Sequence, residues 1–317
     1  MNLDNGYFGL VAAGIVTAAA IVFGGHQIVQ RSTETDKPAE ATAEYGKLLL
    51  RNTALFLGPS QDDPNMRYSG THIACASCHL DIGMRPGTLS LLQSSARYPR
   101  FSGRDGGVRD LKDRINGCFQ RSMNGRPLPR DSVEMDAMVE YIDHLSDVYH
   151  AMSESKRTPV EPPAFKEPDR AANVEAGRQV FESRCRVCHG ADGSGLQATP
   201  DINDGYLFPP LWGPDSYNNG AGMTRVLTSA NFIKARMPYG QPDLSDDQAY
   251  DVAAYINSHW RPEKDNLEVD FPDKTLKRID SPYPPYADDF PHEQHRLGPF
   301  GPIREYYESL EQEEDSP

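Results

Sequence analysis

The sequence predicts an all-α protein of two small tandem domains, preceded by one apolar N-terminal helix, and three observations predict it. The pattern C-x-x-C-H occurs twice, as Cys75-Ala76-Ser77-Cys78-His79 and as Cys185-Arg186-Val187-Cys188-His189. The same order of elements surrounds each copy: a short helix, then the motif, a proline loop, a methionine loop and an apolar-periodic helix. An uncharged stretch of 17 residues, Tyr7 to Phe23, stands near the N-terminus. A chain of 317 residues is long enough for two ordinary domains. Its 38% hydrophobic and 25% charged residues suit soluble domains and exclude a multi-span membrane protein. The formal net charge of −14 excludes a general nucleic-acid binder. Five cysteines are too few for a disulfide scaffold, and four of them sit in the repeated pattern.

The N-terminal stretch comes first. Signal-peptide cores run about 7–15 residues and spanning helices about 17–25, so its length favours a membrane helix over a removed signal. Gly9, Ala13, Gly14 and Ala18 recur along it as small residues do in transmembrane contacts. Residues 1–30 are read as a membrane anchor or signal segment, and 31–43 as a polar tether.

The two C-x-x-C-H motifs carry the attachment signature of c-type haem. Two thiols one helical turn apart reach the two vinyl groups of a porphyrin, and the adjacent imidazole coordinates iron from the same side. Cys75, Cys78, Cys185 and Cys188 are therefore read as attachment sites for two haems, with His79 and His189 as axial ligands. Before the first motif, Tyr45 to Leu50 suits a short helix, and Ala176 to Phe181 matches it before the second. Tyr98-Pro99-Arg100-Phe101 is paired with Pro209-Pro210-Leu211-Trp212-Gly213 as the proline loop. The closing helices are placed at Ser132–Leu145 and Ser245–Ser258, where Met135, Met138, Val139 and Ile142, and Ala249, Val252, Ala253 and Ile256, each share a face. This is the order of a class-I-type cytochrome c, found twice. The domains are set at 44–152 and 171–262, with a Pro-rich charged linker at 153–170. An acidic Pro-rich tail follows at 263–317, holding 15 Asp and Glu against 6 Lys and Arg. The tail reads as a strap along the surface or as a docking element for a basic partner.

The second axial ligands follow. Met237, just before Pro238 and eight residues before the last helix, is the distal ligand expected for the second haem, and a thioether there gives a high-potential centre. By position Met123 is its counterpart in the first domain. Cys118, the one cysteine outside the motifs, lies five residues earlier. From Arg97 to Arg130 there are nine Lys and Arg against three acids, an electropositive island in an acidic protein. Such a field stabilises a thiolate and gathers small anions. Cys118 is thus a buried inert thiol, a ligand or a reactive group.

The run Asp113-Arg114-Ile115-Asn116-Gly117-Cys118-Phe119-Gln120-Arg121-Ser122-Met123-Asn124-Gly125, with Gly103-Arg104-Asp105 upstream, resembles the dihaem thiosulfate dehydrogenases, or tetrathionate synthases. The resemblance covers Tyr45 to Trp260. It implies that Cys118 ligates the first haem opposite His79, and that Arg104, Arg114 and Ser122 hold substrate. Some members place before the distal methionine a lysine that ligates the oxidised second haem, whereas here that neighbour is Arg236, with Lys234 further back. The chemistry is consistent. Joining two thiosulfates into tetrathionate releases two electrons, matching two one-electron acceptors. Guanidinium forks suit sulfur oxyanions. A cysteine can take up thiosulfate and be released by a second one. Cysteine ligation lowers the first potential and methionine raises the second, so electrons run outward.

The expected function is therefore coupling of thiosulfate to tetrathionate, with electrons passed to a soluble or membrane cytochrome in the bacterial periplasm. The alternatives are an anchored dihaem electron-transfer cytochrome without substrate chemistry, such as an oxidase subunit, and the same enzyme run as a tetrathionate reductase. A dihaem peroxidase would need an open iron and acid–base groups that the sequence does not offer.

Overall fold

The computed structural model describes residues 40–153 and 165–314. The expected anchor and most of the tether lie outside these residues. Among the described residues no helix is long and apolar enough to cross a membrane.

In the first half, helix α1 (Ala43–Arg51) starts at Thr42, whose Oγ1 accepts from the Tyr45 N–H at 3.1 Å. It turns Tyr45, Leu49 and Leu50 inward. Helix α2 (Thr53–Leu57) follows directly. The first haem motif begins on a single 3-10 turn, Cys75–Ser77. Strands β1 (Arg100–Ser102) and β2 (Gly107–Arg109) then form an antiparallel hairpin with Phe101 opposite Val108. Helix α3 (Leu111–Arg121) opens with a reciprocal cap: Asp110 accepts from the Asp113 N–H at 2.9 Å, and Asp113 from the Asp110 N–H at 3.2 Å. Helix α4 (Val133–Ala151) is capped by Ser132, whose Oγ accepts from the Met135 N–H.

The second half begins with α5 (Val174–Val180), which passes through a π-helical turn, Phe181–Cys185, into α6 (Arg186–His189). Strands β3 (Leu196–Gln197) and β4 (Tyr206–Phe208) pair antiparallel. Helices α7 (Val226–Arg236) and α8 (Asp246–Asn257) follow, and α8 starts with a Ser245–Gln248 capping box. The tail adds α9 (His292–Leu297) and α10 (Gly301–Glu314).

Each half has its own core. Leu49, Leu57, Phe119, Met135, Met138 and Leu145 are buried in the first, and Phe181, Leu244, Tyr250, Val252 and Ile256 in the second. In both, the opening helix crosses the closing one at a glycine. A Cβ on Gly46 would collide with the Ala137 carbonyl, and one on Gly177 with the Asp251 carbonyl. These two glycines let the helix backbones touch, which fixes the motif that follows.

Several expectations need correction. The fold is mostly helical rather than all-α, because two short hairpins interrupt it. The first hairpin occupies Arg100 and Phe101, so Tyr98 to Phe101 is not the counterpart of the second proline loop. Helix α4 runs to Ala151, past Leu145. Residues 154–164 of the expected linker lie outside the described range, and its end belongs with the second core. There Phe165 packs against that core, and Arg170 pairs with Asp247 at 2.5 Å and with Asp251 at 2.8 Å. The tail is more than a surface strap. Phe300 (1% exposed) and Ile303 (0%) are part of the second core, and the Ala172 N–H donates to the Leu297 carbonyl at 2.8 Å.

Candidate functional site

At the first motif the His79 N–H donates to the Cys75 carbonyl at 2.9 Å, one turn back. The ring Nδ1 of His79 lies 2.7 Å from the Leu89 carbonyl. A proton on Nδ1 shared with that carbonyl leaves Nε2 as the free lone pair, the tautomer a metal ligand needs. Thr53 braces the motif from α2: its Oγ1 accepts from the Cys75 N–H at 3.0 Å and stands 3.3 Å from Sγ. Burial pushes the Cys75 thiol up to about 12 and the Cys78 thiol up to about 11.

Cys118 behaves in the opposite way. It sits on α3 four residues after Arg114, so the two side chains share a helix face. Arg114 Nη1 donates to the Cys118 Sγ at 2.8 Å. His79 lies close enough to act on the thiol as well. Burial opposes ionisation, yet the Arg114 charge and the His79 contact outweigh it and hold the Cys118 thiol down to about 7. The same pairing raises Arg114, chiefly through the Cys118 charge. Cys118, Arg114 and His79 are thus brought together, with Cys75 and Cys78 close enough for their charges to act on Cys118.

The other expected substrate residues are placed differently. Ser122 caps the end of α3, and its N–H donates back to the Cys118 carbonyl. Arg104 lies in the turn between β1 and β2, in a cluster with Arg121, Asp270 and Tyr283 rather than against the thiol. Burial and the charge of Arg121 lower its pKa. Much of the rest of the electropositive island is neutralised internally: Arg130 pairs with Asp110 and Asp113, Arg109 with Asp105, and Lys112 with Asp136. Met123 is 4% exposed and packs into the first core.

At the second motif, His189 Nδ1 lies 2.8 Å from the Pro209 carbonyl. The tautomer argument made for His79 applies here too. Burial lowers the His189 pKa, which keeps the imidazole neutral. Met237 follows α7 directly and, like Cys185, packs against the second core. The segment beside it reaches into the first half. Arg236 Nη2 donates to the carbonyls of Pro86 and Thr88, in the loop that ends at Leu89. The Arg85 guanidinium lies over the Tyr239 ring, 5.2 Å from its centroid. A second junction joins His72 to Asp215: the His72 N–H donates to Asp215 Oδ1 at 3.1 Å, and the Tyr206 hydroxyl donates to Oδ2 at 2.8 Å.

This donor set fits covalent haem. All five cysteines are unpaired thiols, both imidazoles can offer Nε2, and Cys118 lies near His79. Thr88 Oγ1, Asn231 Oδ1, Arg225 Nε and Arg236 Nε are buried without a hydrogen-bond partner among the described residues. Buried polar atoms want partners, and a cofactor carrying carboxylates would supply acceptors for the Thr88, Arg225 and Arg236 donors, though not for the Asn231 oxygen.

Residues 67–149 match the SoxA/TsdA cytochrome c domain family, and residues 174–260 the cytochrome c family. Fold and site therefore define a c-type cytochrome with two haems. Thiosulfate dehydrogenase from Stutzerimonas stutzeri is 37% identical over 244 residues, 77% of this chain and 76% of its own length. That from Allochromatium vinosum is 40% identical over 202 residues, 62% and 72% of the two chains. The solved structure of a thiosulfate dehydrogenase (TsdBA) from Marichromatium purpuratum aligns with a TM-score of 0.61 at 34% identity. That alignment covers 71% of this chain and 47% of the other, so the chain spans about half of that protein. The chain belongs to the thiosulfate dehydrogenase family and is a haem-dependent oxidoreductase.

Sequence reasoning missed several supporting groups. The Leu89 and Pro209 carbonyls lie ten and twenty residues after their histidines, and no residue type marks a carbonyl acceptor. The first hairpin did have a signal: Asp105-Gly106 between two short runs is a turn dipeptide. Asp270, Phe271 and Tyr283 gave none.

Proposed function

We propose that the chain couples two thiosulfate ions into tetrathionate at Cys118 and hands two electrons to an external redox partner. One observation carries the reading: the Cys118 thiol is bonded to the Arg114 guanidinium at 2.8 Å beside the first haem motif, an arrangement that holds its pKa down. His79 and Cys118 would hold the first haem and His189 and Met237 the second, and each haem, when bound, would supply a one-electron acceptor. Arg114 stabilises the Cys118 thiolate and offers its remaining donors to the incoming dianion. The family resemblance adds Ser122, at the end of the same helix, and Arg104, which stands off the thiol in its cluster with Asp270, as the outer hold on that anion. The Cys118 thiolate and the sulfane sulfur of thiosulfate form a sulfur–sulfur bond as two electrons leave, giving a cysteine S-thiosulfonate. A second thiosulfate attacks that adduct at its sulfane sulfur. The Cys118–sulfur bond breaks, tetrathionate departs, and the thiolate is restored. The same residues serve the reverse reaction, so direction is set by the potentials and the partner. The partner is a soluble or membrane cytochrome and the compartment is the bacterial periplasm, reached through residues 1–30 as a membrane anchor or signal segment.

The direct test is thiosulfate-dependent reduction of an artificial acceptor with tetrathionate quantified, run in both directions. No tetrathionate alongside electron transfer from other donors would favour the plain electron-transfer cytochrome.

Two substitutions probe the assignments. Arg114→Lys is expected to raise the thiosulfate KM about tenfold, roughly 1.4 kcal/mol, because an ammonium keeps the charge but loses the fork. Steady-state kinetics check this, with the absorption spectrum showing that both haems stay in place. Met237→Ala is expected to abolish the long-wavelength methionine–iron charge-transfer band while thiosulfate still binds. A retained band would reassign the ligand.

A further inference from the structure

The tail closes over the turn that carries Arg104. The Phe271 N–H donates to the Arg104 carbonyl at 2.7 Å. The Phe271 ring lies against the guanidinium, whose Cζ is 5.6 Å from the centroid. The Asp270 carboxylate stands 3.8 Å from Arg104 Nε. Beside it, a Cβ on Gly103 would come within 3.0 Å of Leu276, so turn and tail touch almost backbone to side chain.

Asp270 is 5% exposed and is shared. Arg121 Nη2 donates to its Oδ1 at 2.6 Å, and the Tyr283 hydroxyl donates to its Oδ2 at 2.8 Å. Arg121 lies on the same stripe of α3 as Arg114 and Cys118, at helical spacing i, i+4, i+7. Asp270 therefore joins the hairpin bearing Arg104 to the helix bearing the thiol. Phe271 has φ 56°, a left-handed conformation that costs a bulky residue and persists where the surroundings over-determine it. Here its N–H and its ring are both committed to Arg104. The two Nη groups of Arg104 make no hydrogen bond among the described residues, so the fork is left open.

We propose that Asp270 and Phe271 are positioning residues for thiosulfate: they fix the Arg104 guanidinium relative to the helix that bears Arg114 and Cys118, through the Asp270 link to Arg121. This rests on the reading of Arg104 as a substrate clamp. In the holoenzyme, Phe271→Leu keeps the apolar bulk but removes the ring face. It is expected to raise the thiosulfate KM about three- to tenfold, within the range of a partly buried cation–π contact, with kcat and the haem spectrum unchanged. Phe271→Tyr should restore the KM. A folded Phe271→Leu protein with wild-type KM overturns the proposal, as does a fall in kcat alone. If Phe271→Leu fails to fold, Tyr283→Phe gives the answer. It removes one hydroxyl from Asp270 and should raise the KM about two- to threefold, a size typical of one hydrogen bond, and a wild-type KM there is equally fatal. Arg104→Gln separates the two readings. If it leaves KM unchanged, the clamp itself is wrong. If it raises KM while Phe271→Leu does not, only the tail's role fails. If both hold, the double variant should be no worse than Arg104→Gln alone.

Discussion

Cys118→Met is expected to give a folded protein with both haems attached and no measurable tetrathionate synthesis. Attachment depends on Cys75, Cys78, Cys185 and Cys188, which the substitution leaves alone. A thioether still offers sulfur to the face opposite His79, but it cannot accept a second sulfur and be released as an anion. It also has no charge for Arg114 Nη1 to pair with. The larger side chain costs about 1–3 kcal/mol of packing strain, which a stable protein tolerates. The catalytic cost is far larger, at least about a thousandfold in kcat/KM, or about 4 kcal/mol of transition-state stabilisation. Acceptor reduction with thiosulfate, normalised to haem content, measures it. Turnover near the wild-type rate would leave Cys118 as a ligand at most and return Met123 to candidacy for the iron.

Ending the chain after Trp260 is expected to abolish the folded holoprotein rather than only its docking. The truncation removes Phe300 and Ile303 from the second core, and deletions of such buried side chains cost about 2–5 kcal/mol each. It also strips Arg121 of its buried carboxylate partner, Asp270, a loss of about 3–5 kcal/mol when one member of a buried pair goes. These losses together match or exceed the 5–15 kcal/mol stability of a typical domain. Haem content per chain and a thermal melt decide the matter. Full haem loading with an unchanged melting temperature would mean that the tail is dispensable to the fold and serves a partner only.

The parts of the molecule written in local chemistry were legible before the fold was known. The haem motifs declare themselves by spacing. The closing helices show in the periodicity of Met135, Met138 and Ile142 and of Val252, Ala253 and Ile256. Arg114 and Cys118, four apart, were bound to share a face once α3 was a helix. What stayed hidden depends on long-range placement. The carbonyl that orients His79 comes from Leu89, whose left-handed backbone (φ 60°) no side-chain type announces. The repeat suggested Tyr98 to Phe101 for that region, but a hairpin takes the segment instead. Arg104 and Arg121 read as members of one positive island, and half of their charge turns out to be offset by a single carboxylate they share, Asp270, which lies beyond the second domain. The tail's acidity suggested a surface role because net charge says nothing of where a single carboxylate is buried.

The contacts of Arg236 with Pro86 and Thr88 bear on the timing of electron flow. They run from the residue beside Met237 to the loop whose last carbonyl steadies His79. Two redox modules on a plain tether would exchange electrons only when diffusion brought them together, and that step would slow in a viscous medium. Here the polar bridge, with the His72–Asp215 junction, ties the loop that steadies His79 to the segment that carries Met237. Transfer between haems held by these two segments would then be indifferent to viscosity, while hand-over to an external acceptor would still await a collision.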